Sequence, residues 1–312
     1  TPASTLYFVY AKTDGKLYGK NDAGTEIEFG AAGAATADHG LCEGRLTLTS
    51  GTAVTTSDVT AATTLYFTPY KGSRISTYSG SAWSTSTFTE KSITLASLTA
   101  GLPYDCYIVD STLALELTAW TNGTTRATAL TTQDGVLVKT GSTTRRYLGT
   151  ICIKATGQCE DSLLNRFVCN YYNQLRRPLQ VFDATDTWTY ATATWRQARA
   201  TAGNKVEYVC GVSETLVEVR VTSAVQNADG TRGSVGVGID STSANSAQFF
   251  YEAGGNTSAG GSDPAHAVYR GWPGIGYHYL AWLEYVRAGT VTFEGDNGVA
   301  DQQSGLIAEV WG

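Results

Sequence analysis

Methionine is absent from the 312 residues, and histidine (3), cysteine (6) and proline (6) are scarce. Each shortage excludes something. His39, His266 and His278 are never within four residues of one another, so no His/Cys zinc set of the usual spacing can form, and no metal is expected. Cys42, Cys106, Cys152, Cys159, Cys169 and Cys210 contain no CxxC pair, and a chain this long can bury a core without staples. Buried free thiols are therefore expected, with Cys152 and Cys159, on either side of a turn, the one pair placed to bridge. Charged residues make up only 16%, with a net charge of −6, so no global field draws the chain to nucleic acid or an anionic membrane. No apolar run approaches the ~20 residues needed to span a bilayer. GxSxG, P-loop, GxGxxG and HExxH patterns are all missing, and no cofactor is expected. A chain that begins with Thr and lacks Met is expected to have lost its natural start.

What remains is rich in Thr, Ser and Ala, with 34 Gly and 42% hydrophobic residues, a composition of short strands and turns with enough bulk for two or more cores. All-β is the expected class. The one exception is a predicted α-helix over residues 161–177. Leu163, Leu164, Phe167, Val168, Tyr171, Tyr172 and Leu175 recur at three and four residues, Glu160 and Asp161 open the segment, Arg176 and Arg177 close it, and Pro178 forbids continuation. Within it Leu164, Val168, Tyr171 and Leu175 follow the 4-3-4 spacing of a coiled-coil seam, which makes them candidates for packing against other copies around an axis.

Four segments follow in order. Residues 1–40 read as a hairpin across Asp14-Gly15, a second turn at Asp22 to Gly24, and a small-residue linker. Residues 41–160 hold many short strand candidates (RLTLTSG, TTLYFTP, RISTYSG, YDCYIVD, TLALELTAW, VLVKTG) at sandwich or barrel spacing, with Tyr66, Phe67, Tyr70, Trp83, Tyr104, Tyr107 and Trp120 as core candidates. After the helix, residues 178–312 alternate clearly. Val217, Val219 and Val221 oppose Glu218, Arg220 and Thr222; Val235, Val237 and Ile239 alternate with Ser234, Gly236 and Gly238; Leu306, Ala308 and Val310 oppose Ile307, Glu309 and Trp311. With the other runs this predicts a jelly-roll-like β-sandwich.

Two chemistries suit the last segment. Trp272, Tyr277 and Trp282 offer flat faces for stacking on sugar rings, and Asn256, Asp263, His266 and Arg270 offer hydrogen bonds, although Tyr277 and Trp282 have opposite strand parity and cannot share one platform. Glycoside cleavage would need two carboxylates from a set that includes Asp183, Asp186, Glu214, Glu252, Asp263, Glu284, Glu294, Asp296 and Asp301; Glu218 and Glu284, in alternating strands, are expected to face solvent. Asp296, Asn297 and Asp301 match an ordinary turn better than a calcium loop.

The ordered run GRLTLTSGTAVTTSDVTAATTLYFTPYKGSRISTYSGSAW, GLPYDCYIVD, QDGVLVKTG, RRYLGTI and EDSLLNRFVCNYYNQLRRPL, about residues 41–180, resembles a module of virion fibre proteins, tail or head, of tailed bacteriophages. Residues 6–29 resemble the short KLYxK-type segments that precede such modules. Cys152, Cys159 and Cys169 depart from the module's pattern. The resemblance implies a β-rich homotrimer with helices meeting near a threefold axis, an N-terminal segment attached to other virion proteins, and exposure on the virion. On this basis the expected function is structural and non-enzymatic, with the sandwich binding host-surface glycan or protein. A capsid decoration protein without receptor binding is the alternative, and a glycan depolymerase the further one.

Overall fold

The computed structural model describes residues 8–20, 23–29, 38–226, 231–254 and 262–312. The chain forms two compact units, Thr1–Asp38 and His39–Gly312. In the first, Phe8–Ala11, Leu17–Lys20 and Glu26–Phe29 make an antiparallel meander. Asp14-Gly15 turns it as expected: Gly15 has φ +79°, and the Lys16 N–H donates to Asp14 Oδ1 at 3.0 Å. Asp22 and most of the expected linker lie outside the described residues.

The second unit is all-β, and among the described residues it holds no α-helix. Its first half places Gly44–Thr47, Thr64–Pro69 and Lys91–Thr94, with the Arg74–Tyr78/Trp83–Thr87 hairpin, beside a larger sheet centred on Pro103–Val109 and Ser142–Ala155. Leu46, Leu65, Phe67 and Ile75 pack there with Cys106, Ile108, Ile151 and Ile153. All six cysteines are buried free thiols, and burial pushes Cys42 up to about 11 and Cys152 to about 12. Cys159 Sγ faces the Cys152 carbonyl rather than its sulfur.

The predicted helix is the main correction. Residues 161–177 run as the end of strand Gln158–Asp161, a turn, strands Asn165–Arg166 and Val168–Asn170, a second turn, and the start of strand Arg176–Phe182. A helix with that apolar face would turn the remaining polar residues of this segment to solvent. In the fold Asn165, Arg166 and Asn170 are buried, because each finds partners that no helix surface offers. Asn170 accepts from the Leu46 N–H at 2.6 Å and donates to the Leu46 carbonyl, and Arg166 donates to Asp161 and the Pro178 carbonyl. Buried polar groups that pair across the chain outweigh local helix propensity. The seam residues accordingly share no stripe: Leu164 sits exposed in a turn, Val168 is core, and Tyr171 and Leu175 are half-buried in and after the second turn.

The expected boundaries at 160/161 and 177/178 fall inside strands Gln158–Asp161 and Arg176–Phe182. Hydrogen bonding crosses them without interruption, since Asn165–Arg166 pairs in parallel with Lys205–Cys210. Beyond that ladder lies a two-sheet sandwich. A five-stranded stretch of one sheet runs in the order Phe249–Gly254, Ser262–Gly271, Val217–Gln226, Gly305–Trp311, Arg176–Phe182, and beyond Thr222 the strands Val291–Glu294 and then Thr187–Tyr190 continue that sheet. The other joins Arg232–Ile239, Gly276–Ala288 and Lys205–Cys210, and Phe249–Gly254 links the two by pairing with Ser262–Gly271 through its first half and with Arg232–Ile239 through its second. Val217, Val219, Val221, Leu306, Ala308 and Val310 point into the core, as their alternation predicts. Around Val235 and Val237 the intervening Ser234, Gly236 and Gly238 are buried too, so that strand has no solvent face.

Candidate functional site

Of the seven residues expected to contact a sugar, His266 and Arg270 share an exposed face of strand Ser262–Gly271. Asp263, an odd number of residues away, has the opposite parity. Trp272 follows this strand and is 67% exposed. Tyr277 is half-buried with its ring 6.1 Å from Phe167, whereas Trp282 is fully buried against Trp188. Trp282 is therefore a core residue and not a sugar platform, for the parity reason that separates it from Tyr277. Asn256 lies outside the described residues. Glu284 also corrects its expectation. It is wholly buried, where it accepts from Trp188 Nε1 and Arg196 Nε, both at 2.6 Å, and burial pushes its carboxyl above the usual range against the pull of those two donors. Among the described residues no group of three or more His, Cys, Asp or Glu is placed to hold a metal ion. Asp296 accepts from the Gly298 N–H at 3.1 Å, an ordinary Asx turn.

The surface that gathers exposed chemistry is the outward face of the five-stranded stretch. Because the core-facing set is Val217, Val219, Val221 and their ladder partners, every second residue of all five strands points away from the core. Register then sets three rows. Arg270, Glu218, Glu309 and Pro178 form the first. Phe249, Val268, Arg220, Ile307 and Gln180 form the second, and Tyr251, His266, Thr222, Gly305 and Phe182 the third. Trp311 and Arg176 extend the first row's end of the sheet.

Three concavities open on this face, of about 420, 380 and 370 Å³. The first lies among Arg176, Gln180, Glu218, Arg220 and Glu309, the second over Gly305 beside Phe182 and Thr222, and the third among Phe249, Tyr251 and His266. Glu218 and Glu309 stand directly opposite each other on neighbouring strands. Both are already engaged: Arg176 pairs with Glu309, and Glu218 lies 3.6 Å from Arg220 and 4.0 Å from Arg270. Thr222 Oγ1 and His266 Nδ1 are 3.1 Å apart.

Sequence reasoning named His266 and Arg270, which share this face, but did not gather Phe182, Phe249, Tyr251 and Ile307 onto it. The signal lay in the alternation itself. Once Val217 and Leu306 are assigned inward, Arg220 and Ile307 must point outward, but that they neighbour Phe249 and Phe182 depends on strand order, which no local pattern carries.

Comparison with models of known protein families finds no match to the chain, and no curated protein matches it either.

Proposed function

We propose that the chain is a structural, non-enzymatic fibre protein of a tailed-phage virion, a homotrimer exposed on the particle whose C-terminal sandwich meets host-surface glycan. The all-β unit and the ordered motifs of residues 41–180 support the fibre reading. The observation that carries recognition rather than turnover is Trp272, exposed just past the end of strand Ser262–Gly271, where its ring lies open to a flat ligand. A sugar would stack on Trp272, a weak single contact that a trimer would multiply through avidity. Binding of the labelled full chain to host cells and to their purified surface polysaccharide tests this. Trp272→Ala is expected to weaken it several-fold, and a wild-type chain that binds no surface glycan would sink the recognition reading.

One observation favours a second reading, the depolymerase. Glu218 and Glu309 oppose each other across one ladder step in the 420 Å³ concavity, and glycoside hydrolysis requires a carboxylate pair. Reducing ends released from host polysaccharide by the wild type and not by Glu309→Gln would establish it in place of the non-enzymatic one.

A further inference from the structure

We infer that the outward face of the five-stranded stretch is the surface through which copies of this chain meet. The inference rests on the homotrimer proposed above and gives its contact a place, now that residues 161–177 do not supply an axial helix.

Three observations carry it. The first is the grouping of exposed apolar side chains. Phe249 is 76% exposed, Tyr251 73%, Ile307 55% and Phe182 53%, and register sets all four on one face within two adjacent rows, Phe249 with Tyr251 at one edge and Ile307 with Phe182 at the other. Single exposed apolar residues are normal, but a grouped set marks an interaction surface. The second is extent. Five strands spaced ~4.8 Å apart, each with about seven residues rising ~3.3 Å, span on the order of 500 Å². That approaches the share one partner contributes to a modest protein interface, and it exceeds what one or two sugar rings can cover. The concavities on it are open, whereas a small ligand's site encloses most of its ligand.

The third observation selects the partner. Arg176, Arg220 and Arg270 against Glu218 and Glu309 leave the face one positive charge, 3 − 2, so it favours neither a strongly anionic nor a strongly cationic partner. Its two ends differ instead. Arg270, Glu218, Glu309 and Arg176 occupy one end, and Tyr251 and Phe182 the other. Copies whose strands run in the same direction set rings against rings. They also bring the edge arginines of one copy to the central glutamates of the next, so every charge keeps a partner. An antiparallel arrangement would press that charged end onto rings and desolvate its ion pairs without adding partners. The face is thus complementary to the same face of neighbouring copies arranged around an axis parallel to the strands, where one side of each face meets the other side of the next.

Light scattering on the full chain tests this. The wild type is expected at the mass of three chains. Ile307→Glu and Phe182→Glu, on neighbouring strands and both exposed, are expected to fall to the mass of one chain with unchanged far-UV circular dichroism. Val299→Glu makes the same change at an exposed apolar residue in the loop before Gly305 and is expected to keep three. If the wild type is trimeric and both face variants remain so, the face is wrong and the trimer stands. A monomeric wild type at every concentration overturns both the trimer and this contact. Face variants that keep their mass but lose glycan binding would make the face a sugar site and overturn the inference.

Discussion

The two halves of the His39–Gly312 unit treat buried polarity differently. In the first half, charged side chains are drawn into the interior and used as fasteners. Arg146, 1% exposed, donates to the carbonyls of His39, Gly40 and Ser76 and lies 4.6 Å from the Tyr172 ring. Arg126 grips Asp105 through Nε at 2.7 Å and Nη2 at 3.2 Å, while Thr150 donates to the same carboxylate at 2.7 Å. Asp161 accepts from Arg166 at 2.9 Å and Arg177 at 2.7 Å. Arg45 lies close enough to Arg177 that burial and this like charge lower its pKa to about 10. In the sheet of the second half that carries the outward face, the interior is mostly Val, Ala and Leu, with Arg177 and Glu294 as its buried charges. The first half leans on pairing, and this sheet leans on alternation.

The sharpest way to break this contrast is to remove one fastener. Asp161→Ala leaves Arg166 and Arg177 buried without their carboxylate, and loss of one partner of a buried ion pair costs about 3–5 kcal/mol. Urea denaturation is expected to show that loss. In the sandwich, Val221→Ala removes two carbons from a fully buried side chain and is expected to cost about 2 kcal/mol, transfer and cavity together. Equal costs at the two sites would mean that the halves are not distinguished by what holds them. Thiol labelling sharpens the same point. Cys210 belongs to the sandwich core and the other five cysteines to the core of the first half. Burial also holds Cys42 and Cys169 at about 11, so the native chain is expected to react with no thiol-specific reagent at neutral pH. In rising urea all six should become reactive in one step, since the shared ladder at Asn165–Glu207 ties the halves together. Cys210 reacting ahead of the rest would show that the sandwich opens alone.

The contrast also explains what could be read in advance. Alternation at Val217–Thr222 and Leu306–Trp311 was legible because one side of each strand meets water, so polarity reports direction. The same parity separated Trp282 from Tyr277 but did not say which of the two is buried. Residues 161–177 were not legible, because Asn165, Arg166, Phe167, Val168, Cys169 and Asn170 are buried in succession, and with no solvent face the apolar spacing carried no directional information. Their polar side chains resemble a helix's wet face until Leu46, Asp161 and Pro178 are known to be neighbours. The same limit hid Glu284, which ends a run of five successive buried residues from Leu280 to Glu284.

The smallest expected effect concerns two buried carboxylates of the second half, which should respond to acid in opposite senses. Burial pulls the Asp183 carboxyl up, but hydrogen bonds from Asn204, Arg199 and Thr185 outweigh it and hold its pKa below the usual value of 3.8. Its contribution to stability is therefore full above 3.8 and is lost as pH falls through the depressed folded value. For Glu284 burial wins over Trp188 and Arg196, so its folded pKa stands above 4.5. The folded chain then binds this proton more tightly than the unfolded one, and stability falls as pH rises from 4.5 through the folded value. Thermal melts from neutral pH downward should show Glu284→Gln losing ground to the wild type as pH approaches 4.5, since it lacks the proton whose uptake favours folding. Asp183→Asn should start behind the wild type and close the gap only below 3.8. If both variants drift in the same direction, Arg196 and Trp188 hold Glu284 as firmly as Asn204 and Arg199 hold Asp183, and burial does not decide its charge.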